Sequence, residues 1–364
     1  MLSANCDLTI CSVSLHDARY LALNWELTRQ LNGGAPCKWL VAENTQEGEE
    51  SRLGLEDRRF DVIAGVDAPQ MNKYRGSYHH GGALNKIVAR VKTRFALVLD
   101  PDFFIVRKTW IKDVIDHMVR NDLAFFGAPW HLRWYRKYRY FPCVHCVFID
   151  SEKIDLNAVD WMPDLLRNPN LFVSNLWVAH ERLTNEGRRL RAGWVVLRRP
   201  WRAVVEDLEQ RRLIGGSSRD TGYQLFQRFG RQRGIKHEEV TPVFRPNRQS
   251  LMPPGVSHLQ RCKLVELWLP DHWSYIPKRA QSFTRMGFRE LGCPDVSSCG
   301  WEEFMWRKEP FGFHIRGFLQ RPNRTESQDA EVARVLEALT GLTLQGVPNS
   351  HPFGEAGTGH TTTP

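Results

Sequence analysis

The stretch Phe95-Ala-Leu-Val-Leu-Asp-Pro-Asp-Phe-Phe-Ile-Val106 decides the fold of this 364-residue chain. The apolar run before Asp100 predicts a strand buried on both faces, the kind found in the middle of mostly parallel sheets. Ligands collect at the carboxyl ends of such strands. Two carboxylates in that place are costly to bury without a positive partner, and Mg²⁺ or Mn²⁺ shared with a diphosphate is the usual one. We interpret Asp100 and Asp102 as a metal site, with a capped surface turn as the alternative.

The segments around this strand alternate between strand and helix patterns. Such alternation predicts an α/β fold, a three-layer sandwich with helices on both faces of a sheet. After residue 122 the alternation stops, and we predict strands at 123–126, 144–149, 240–244 and 312–315 and helices at 171–191 and 223–233. In the first part of the chain, we predict strands at 8–14, 37–42, 60–64 and 95–99 and helices at 18–31, 82–92 and 110–120.

Composition and charge limit the classes of function. The formal net charge is +9 and the pI is near 9.2, which suits anionic partners. No apolar run is long enough to span a bilayer, and the start has no signal-peptide pattern, so we expect a cytoplasmic protein. Cys143-Val-His-Cys146 lies in a predicted strand whose alternation separates the two thiols, so we expect buried cysteines rather than half a zinc site.

A basic aromatic loop follows the strand at 123–126. We call residues 130–141, Trp-His-Leu-Arg-Trp-Tyr-Arg-Lys-Tyr-Arg-Tyr-Phe, the basic loop. Alternating rings and cations fit an acceptor-binding or membrane-interface segment, and they also fit single-stranded nucleic acid. An ordinary basic connection with its rings tucked inward is the plainer alternative.

Five segments in a fixed order carry a resemblance: Thr9-Ile-Cys-Ser-Val-Ser14, Glu43-Asn44, His80-Gly-Gly-Ala-Leu-Asn85, Asp100-Pro-Asp102 and Arg219-Asp-Thr-Gly222. With them the chain resembles the GT-A-type glycosyltransferases, close to the bacterial family 2-like group, over about residues 7–245. The resemblance implies a Rossmann-like three-layer α/β/α sandwich at 1–250, divided into a nucleotide-sugar half at 1–122 and an acceptor-side half at 123–250. An extension at 251–345 would complete the site, and the Gly-, Thr- and Pro-rich residues 346–364 are predicted to be disordered.

The resemblance also implies roles for single residues. Glu43 or Asn44 would contact the base of the nucleotide, unless they only cap the end of a strand. Asn85 and Lys86 would contact the sugar or the diphosphate, with a solvated helix face as the alternative. Asp102 would ligate Mn²⁺ or Mg²⁺ directly, and Asp100 would bind the metal or the ribose.

Two further roles follow from the same class of enzymes. Asp220 would be the general base that deprotonates the acceptor hydroxyl, with a helix N-cap as the alternative. Arg219 stands where the class usually has a second acidic residue, and we expect it to lower the pKa of Asp220. A histidine late in the domain would complete the metal ligands, His314 before its rival His258, with packed core histidines and no histidine ligand as the alternative.

These expectations combine into a metal-dependent transferase of hexosyl groups from a UDP- or GDP-sugar to a saccharide or lipid-linked acceptor. The pathway would be the synthesis of a cell-surface polysaccharide or another glycan, with peripheral contact to the inner face of an anionic membrane and no nucleic-acid partner. Two alternatives stay open: a metal-dependent nucleotidyl or phosphoryl transferase, and a non-catalytic nucleic-acid or membrane-surface protein. Paired aspartates would also suit the first, but the chain lacks the phosphate loop G-x-x-x-x-G-K-[ST].

Overall fold

The computed structural model describes residues 7–45, 47, 52–54, 57–66, 75–133, 137–163, 220–245, 279, 281–315 and 326–343. The predicted helix at 171–191, Arg219, His258 and the tail at 346–364 lie outside these residues. In chain order, the elements are β1 Leu8–Ser14, α1 Ala18–Leu31, β2 Lys38–Glu43, β3 Asp61–Ala64, α2 Arg75–Val88, β4 Phe95–Leu99, β5 Phe103–Ile105, α3 Trp110–Asn121, β6 Phe125–Pro129, β7 Pro142–Asp150, α4 Tyr223–Phe229, β8 His237–Glu239, β9 Thr241–Pro242, β10 Glu302–Trp306, β11 Glu309–His314 and α5 Glu326–Thr340.

The larger sheet has the strand order β3-β2-β1-β4-β7-β6-β8 in the described residues. Its first four strands run parallel to one another, as the sequence predicts. Strand β7 is antiparallel to both β4 and β6, and β8 is parallel to β6. The sheet is therefore mixed, with parallel pairs in the majority.

Alternate side chains of β1, β2 and β4 enter two separate cores, which makes the predicted three layers. On β1, Leu8 and Ile10 face one core, while Cys11 and Val13 face the other. Helices α1 and α3 cover the first face, and α2 covers the second with residues such as Leu84. The α/β/α sandwich predicted from the alternation of strands and helices is confirmed.

A smaller antiparallel sheet stands beside the larger one, in the order β5-β11-β10-β9. The chain leaves the larger sheet at Asp100 and joins the smaller sheet at Phe103, so the Asp100-Pro101-Asp102 turn lies between the two sheets. Asp100 donates its backbone N–H to the carbonyl of His145 in the larger sheet (2.9 Å). The backbone N–H of Ile315 donates to the carbonyl of Asp102 in the smaller sheet (2.8 Å).

Helix α2 differs most from its predicted bounds, because it begins seven residues before Gly82. Two consecutive glycines make this segment look like a break in the sequence, since glycine weakens helix interiors. In the structure a Cβ on Gly81 would lie 2.7 Å from the carbonyl oxygen of Trp161, so glycine permits a close approach there. The early start brings His79 and His80 into the helix.

Three smaller points complete the comparison with the sequence. The strand predicted at 240–244 is shorter, β9 at Thr241–Pro242, and a separate strand, β8, precedes it. Cys143 and Cys146 are buried in different cores, which confirms the expectation of buried thiols. Among the helices in the described part of the chain, none combines the length and the hydrophobicity that a bilayer crossing requires.

Candidate metal centre

Asp100 directly follows β4 and lies between two histidines. Its Oδ2 is 2.6 Å from Nδ1 of His145 on β7, and its Oδ1 is 3.2 Å from Nε2 of His80 on α2. Burial raises the pKa of Asp100, but His80 and His145 outweigh burial and hold this pKa well below its usual range. The carboxyl group is therefore a carboxylate with imidazole partners on both oxygens.

Asp102 belongs to a row of three ionisable side chains across the smaller sheet. Strand β11 runs between β5 and β10, and its register places His314 beside both Phe103 and Glu302. Nε2 of His314 is 3.2 Å from Oδ1 of Asp102, and Nδ1 is 3.1 Å from Oε2 of Glu302. Burial lowers the pKa of His314, but Asp102 and Glu302 outweigh burial and raise it to about 9.

The two sheets meet where the rings of His145 and His314 lie 4.2 Å apart between centroids. One ligand atom from each of Asp100, His145 and His314 lies within 4.8 Å of the others. We call these three residues the metal cluster. Bonds of about 2.0–2.2 Å to one ion place two ligand atoms at most about 4.4 Å apart, so the cluster fits a divalent ion after small adjustments.

The donor set of the metal cluster differs from the predicted one. It contains Asp100 and His314, and Asp102 adjoins it through His314. The binding of a metal by these three residues stays a prediction. His145 was not predicted as a ligand. Two imidazoles beside a carboxylate suit Mn²⁺, Fe²⁺ or Zn²⁺ better than Mg²⁺, which prefers oxygen ligands. His258, the rival of His314, lies outside the described residues.

His145 reaches the metal cluster through the pairing of β7 with β4. Leu99 pairs with Cys146, so the next residue in each direction brings Asp100 and His145 together. Strand alternation shows only that His145 shares a face with Cys143. The register between two strands 45 residues apart is not visible in the sequence, and no local signal identifies His145 as a ligand.

Asp220 precedes α4 and pairs with a cation of the basic loop. Its Oδ2 lies 2.7 Å from Nζ of Lys137, and its Oδ1 accepts the backbone N–H of Thr221 (2.8 Å). Burial raises the pKa of Asp220, but Lys137, the Thr221 amide and Ser77 outweigh it and hold this pKa far below its usual range. We call Asp220 and Lys137 the Asp220 pair.

The alternative role of Asp220 as a helix cap is wrong. Gly222 is the N-cap of α4, and no side chain caps it. The cation that lowers the pKa of Asp220 is Lys137, which the sequence did not indicate. Arg219, which we expected in that role, lies outside the described residues.

Trp130 connects the metal cluster to the Asp220 pair. Its ring packs edge to face against His145, with 4.5 Å between centroids. Nζ of Lys137 lies over the same ring, 4.1 Å from the centroid. Trp130 also lines a cleft with Arg139, Tyr140 and Ser282. The metal cluster, the Asp220 pair and this cleft therefore share one buried aromatic ring.

The basic loop is largely buried in its described residues, 130–133 and 137–141. The exposed fraction is 11% for the side chain of Arg133, 13% for that of Lys137 and 6% for the whole residue Arg139. Arg133 donates to the carbonyl of Gly300, and Lys137 pairs with Asp220. These cations face the protein, so the predicted cationic surface for a membrane is not formed by them. Arg136 lies outside the described residues.

The predicted base-contacting residues hold the loops that follow β2 and β3. Glu43 accepts the backbone N–H groups of Thr45 (2.6 Å) and Leu53 (2.8 Å). Asn44 accepts the N–H of Val66 at 3.1 Å. These bonds order the segment where a nucleotide base is expected, and direct contact with the base stays a prediction.

The two predicted residues of α2 are also engaged with neighbouring loops. Asn85 accepts the backbone N–H of Trp161 (2.9 Å) and donates to Asp160 (3.1 Å). Lys86 donates from Nζ to the carbonyls of Ala64 (2.7 Å) and Gly65. Both side chains join α2 to adjacent segments, and their contact with a donor sugar or diphosphate stays a prediction.

Comparisons with known proteins give matches among solved structures alone. No family model matches the sequence, and no curated protein matches it. One similar structure is the mannosyltransferase PcManGT from Pyrobaculum calidifontis with GDP-Man and Mn²⁺, at 8% identity and a TM-score of 0.31, over 41% of this chain and 46% of that one. Another is the galactosyltransferase LgtC with donor and acceptor sugar analogues, at 12% identity and a TM-score of 0.30, over 42% of this chain and 60% of that one.

The mannosyltransferase Ktr4p from S. cerevisiae, in complex with GDP, matches at 14% identity and a TM-score of 0.23, over 35% of this chain and 41% of that one. These structures are glycosyltransferases, the class that the sequence resembles. The matched region spans less than two thirds of the length of each of them.

Proposed function

We propose that this protein is a metal-dependent glycosyltransferase that moves a sugar from a nucleotide-sugar donor to an acceptor hydroxyl. The metal cluster carries the proposal, because it gathers a carboxylate and two imidazoles at the carboxyl end of a buried strand. The parallel strand β1 lies beside β4, and β2 lies beside β1, and ligands collect at the carboxyl ends of such strands. A divalent ion bound there would supply a Lewis acid for a departing diphosphate.

The residues of the cluster have separate tasks in this proposal. Asp100, His145 and His314 hold the ion, and Asp102 adjoins it from the smaller sheet. The donor set leads us to propose Mn²⁺ before Mg²⁺. UDP- and GDP-hexoses are the donors that we propose to test first, together with a saccharide or lipid-linked acceptor.

Asp220 is our proposed general base, and Lys137 has two opposing effects on it. The ion pair keeps Asp220 in the charged form that can accept a proton. The same cation lowers the proton affinity of the carboxylate, and a general base works best with a pKa near the working pH. We propose that Lys137 turns away from Asp220 when the acceptor binds in the cleft beside Trp130.

The alternatives find less support in the described residues. The described cations of the basic loop are engaged inside the protein, which weakens the case for a nucleic-acid or membrane-surface role. No observation among the described residues favours a nucleotidyl or phosphoryl transferase over a glycosyltransferase.

A panel of nucleotide sugars with Mn²⁺ tests the proposal, read by thermal shift and by the product released. A ligand of the folded state raises the melting temperature as its concentration exceeds its Kd. We expect Mn²⁺-dependent binding and release of a nucleoside diphosphate. Release of sugar 1-phosphate would instead identify a nucleotidyl transferase, and release of a nucleoside monophosphate would identify a transferase of the sugar phosphate.

Asp102→Ala is the matched variant for this panel, and we expect it to abolish Mn²⁺-dependent donor binding in a folded protein. Asp116→Ala is the control, because Asp116 pairs with Lys112 on the surface of α3. Full turnover by Asp102→Ala would overturn the assignment of this carboxylate to the metal site.

A further inference from the structure

Strand β10 carries two consecutive carboxylates, Glu302 and Glu303, that are both fully buried. Neighbouring residues of a strand point to opposite faces, so the two side chains enter different surroundings. Burying a charged carboxylate is costly unless hydrogen bonds and opposite charges compensate for it. Each of these glutamates therefore needs a specific explanation.

Glu303 has a structural explanation. It accepts the backbone N–H groups of Phe288 and Ser297, both at 3.0 Å, and lies 3.4 Å from the guanidinium of Arg245. These bonds fix the segment that contains the short 3₁₀ helices Arg289–Leu291 and Val296–Cys299. This carboxylate holds a loop in place.

Glu302 has different partners. Its Oε2 lies 3.1 Å from Nδ1 of His314, a member of the metal cluster, and both side chains are buried. On its other side, Oε1 lies 3.9 Å from Nε of Arg133 in the basic loop. Glu302 and His314 are direct partners across the β10–β11 ladder, so the strand pairing itself fixes their contact.

We infer that Glu302 is a positioning residue for the metal cluster, an inference that rests on the proposed metal site. Glu302 accepts the Nδ1–H of His314, which leaves Nε2, the nitrogen near Asp102, to face the ion. Histidines that bind metals commonly donate their second ring N–H to a carboxylate, which fixes the tautomer and the ring orientation. Arg133 offsets part of the cost of burying the Glu302 charge.

Glu302→Gln tests this role, with Glu303→Gln as its matched control. Both variants remove one negative charge from a fully buried side chain of the same strand. Mn²⁺ affinity is measured by calorimetry on the full-length protein. The visible absorption of the Co²⁺-loaded protein is recorded as a spectroscopic probe of ligand geometry. We expect Glu302→Gln to weaken Mn²⁺ binding by about 10–100-fold and to alter the Co²⁺ bands.

The control separates metal positioning from a general loss of stability. We expect Glu303→Gln to lower the melting temperature while keeping wild-type Mn²⁺ affinity and Co²⁺ bands. Where Glu302→Gln does not fold, Glu302→Asp replaces it, because it keeps the charge but withdraws the carboxylate from His314 by one methylene. The same loss of affinity is expected in that variant.

The outcomes distinguish the proposed metal site from the role of Glu302 beside it. A wild-type protein that binds neither Mn²⁺ nor Co²⁺ overturns the proposed metal site itself. Wild-type binding together with unchanged affinity and bands in a folded Glu302 variant overturns the positioning role alone. An equal loss of affinity in the Glu303 variant also overturns it, because the effect would then come from the strand rather than from the contact with His314.

Discussion

The metal cluster and the Asp220 pair meet the same electrostatic problem with different partners. In each, a largely buried carboxylate is held ionised, its pKa lowered by neighbouring cationic groups. The neighbours of Asp100 are imidazoles, which can release a proton and offer a lone pair to a metal. The neighbour of Asp220 is an ammonium group, which has no lone pair to offer.

This difference teaches that partner chemistry, more than burial, decides what a buried carboxylate can do. The first arrangement can exchange protons for a divalent ion. The Asp220 pair has no such exchange, and its carboxylate and ammonium group can only stay in contact or move apart. Variants of the metal cluster should therefore change metal binding, and variants of the Asp220 pair should change proton transfer.

The largest effect is expected from His145→Ala, which removes one of the three proposed ligands of the metal cluster. We expect Mn²⁺ affinity to fall by at least about 100-fold, since loss of even an outer partner costs about 10–100-fold. Calorimetry or the electron paramagnetic resonance signal of free Mn²⁺ measures it. His117→Ala is the matched control, because His117 is also buried and paired with a carboxylate, Glu238, away from the cluster. Equal affinities in His145→Ala and wild type would contradict the assignment.

Next in size is Asp220→Asn, which should lower kcat for transfer by about 10²–10⁴-fold, the usual contribution of general acid–base catalysis. Donor affinity should stay unchanged, because a base for the acceptor hydroxyl adds little to binding of the donor. Steady-state kinetics and donor titration separate the two effects. A matching loss of donor affinity would move Asp220 from the base role to donor binding.

Lys137→Met should give a smaller effect, visible in the pH dependence of kcat/KM. Lys137 lowers the pKa of Asp220, so its removal raises that pKa. Activity that requires ionised Asp220 will then decline at a higher pH on the acid side than in the wild type. The Asp220→Asn/Lys137→Met double variant is the control. If the acid decline shifts equally in that variant, the shift does not come from Asp220.

The smallest effect concerns Glu290, a carboxylate outside both groups. Burial raises its pKa, but the Gly287 amide, Arg245 and Arg289 outweigh burial and lower it to about 2. A depressed pKa contributes stability above the unfolded value of about 4.3, and this contribution is lost as the pH falls toward about 2. Glu290→Gln should cost about 1–2 kcal/mol at neutral pH in urea unfolding, with a smaller difference from wild type near pH 3. A difference that does not change with pH would contradict this assignment.

The sequence predicts the first half of the fold well because its signals are local. The strands β1 and β4 and the helix α1 follow from hydrophobic patterns within single segments, and Asp100 and Asp102 follow from their strand. Patterns of this kind need no knowledge of distant residues.

The parts that the sequence did not show depend on distant pairing. His145 needs the β4–β7 register, and Lys137 meets Asp220 across 83 positions of the chain. His80 joins Asp100 because α2 starts earlier than its glycines indicate. The cations of the basic loop appear solvent-facing in the sequence because their buried carboxylate partners, such as Glu302, lie far along the chain.

The turn at Asp100-Pro101-Asp102 couples the stability of the two sheets. Asp100 hydrogen-bonds to a strand of the larger sheet, and Asp102 contacts His314 in the smaller sheet, 212 positions later. An ion held by Asp100, His145 and His314 would bind only when both sheets are in place, so mass action would stabilise their contact. Amide hydrogen exchange at Ile315, whose N–H donates to Asp102, would then slow as the metal concentration rises.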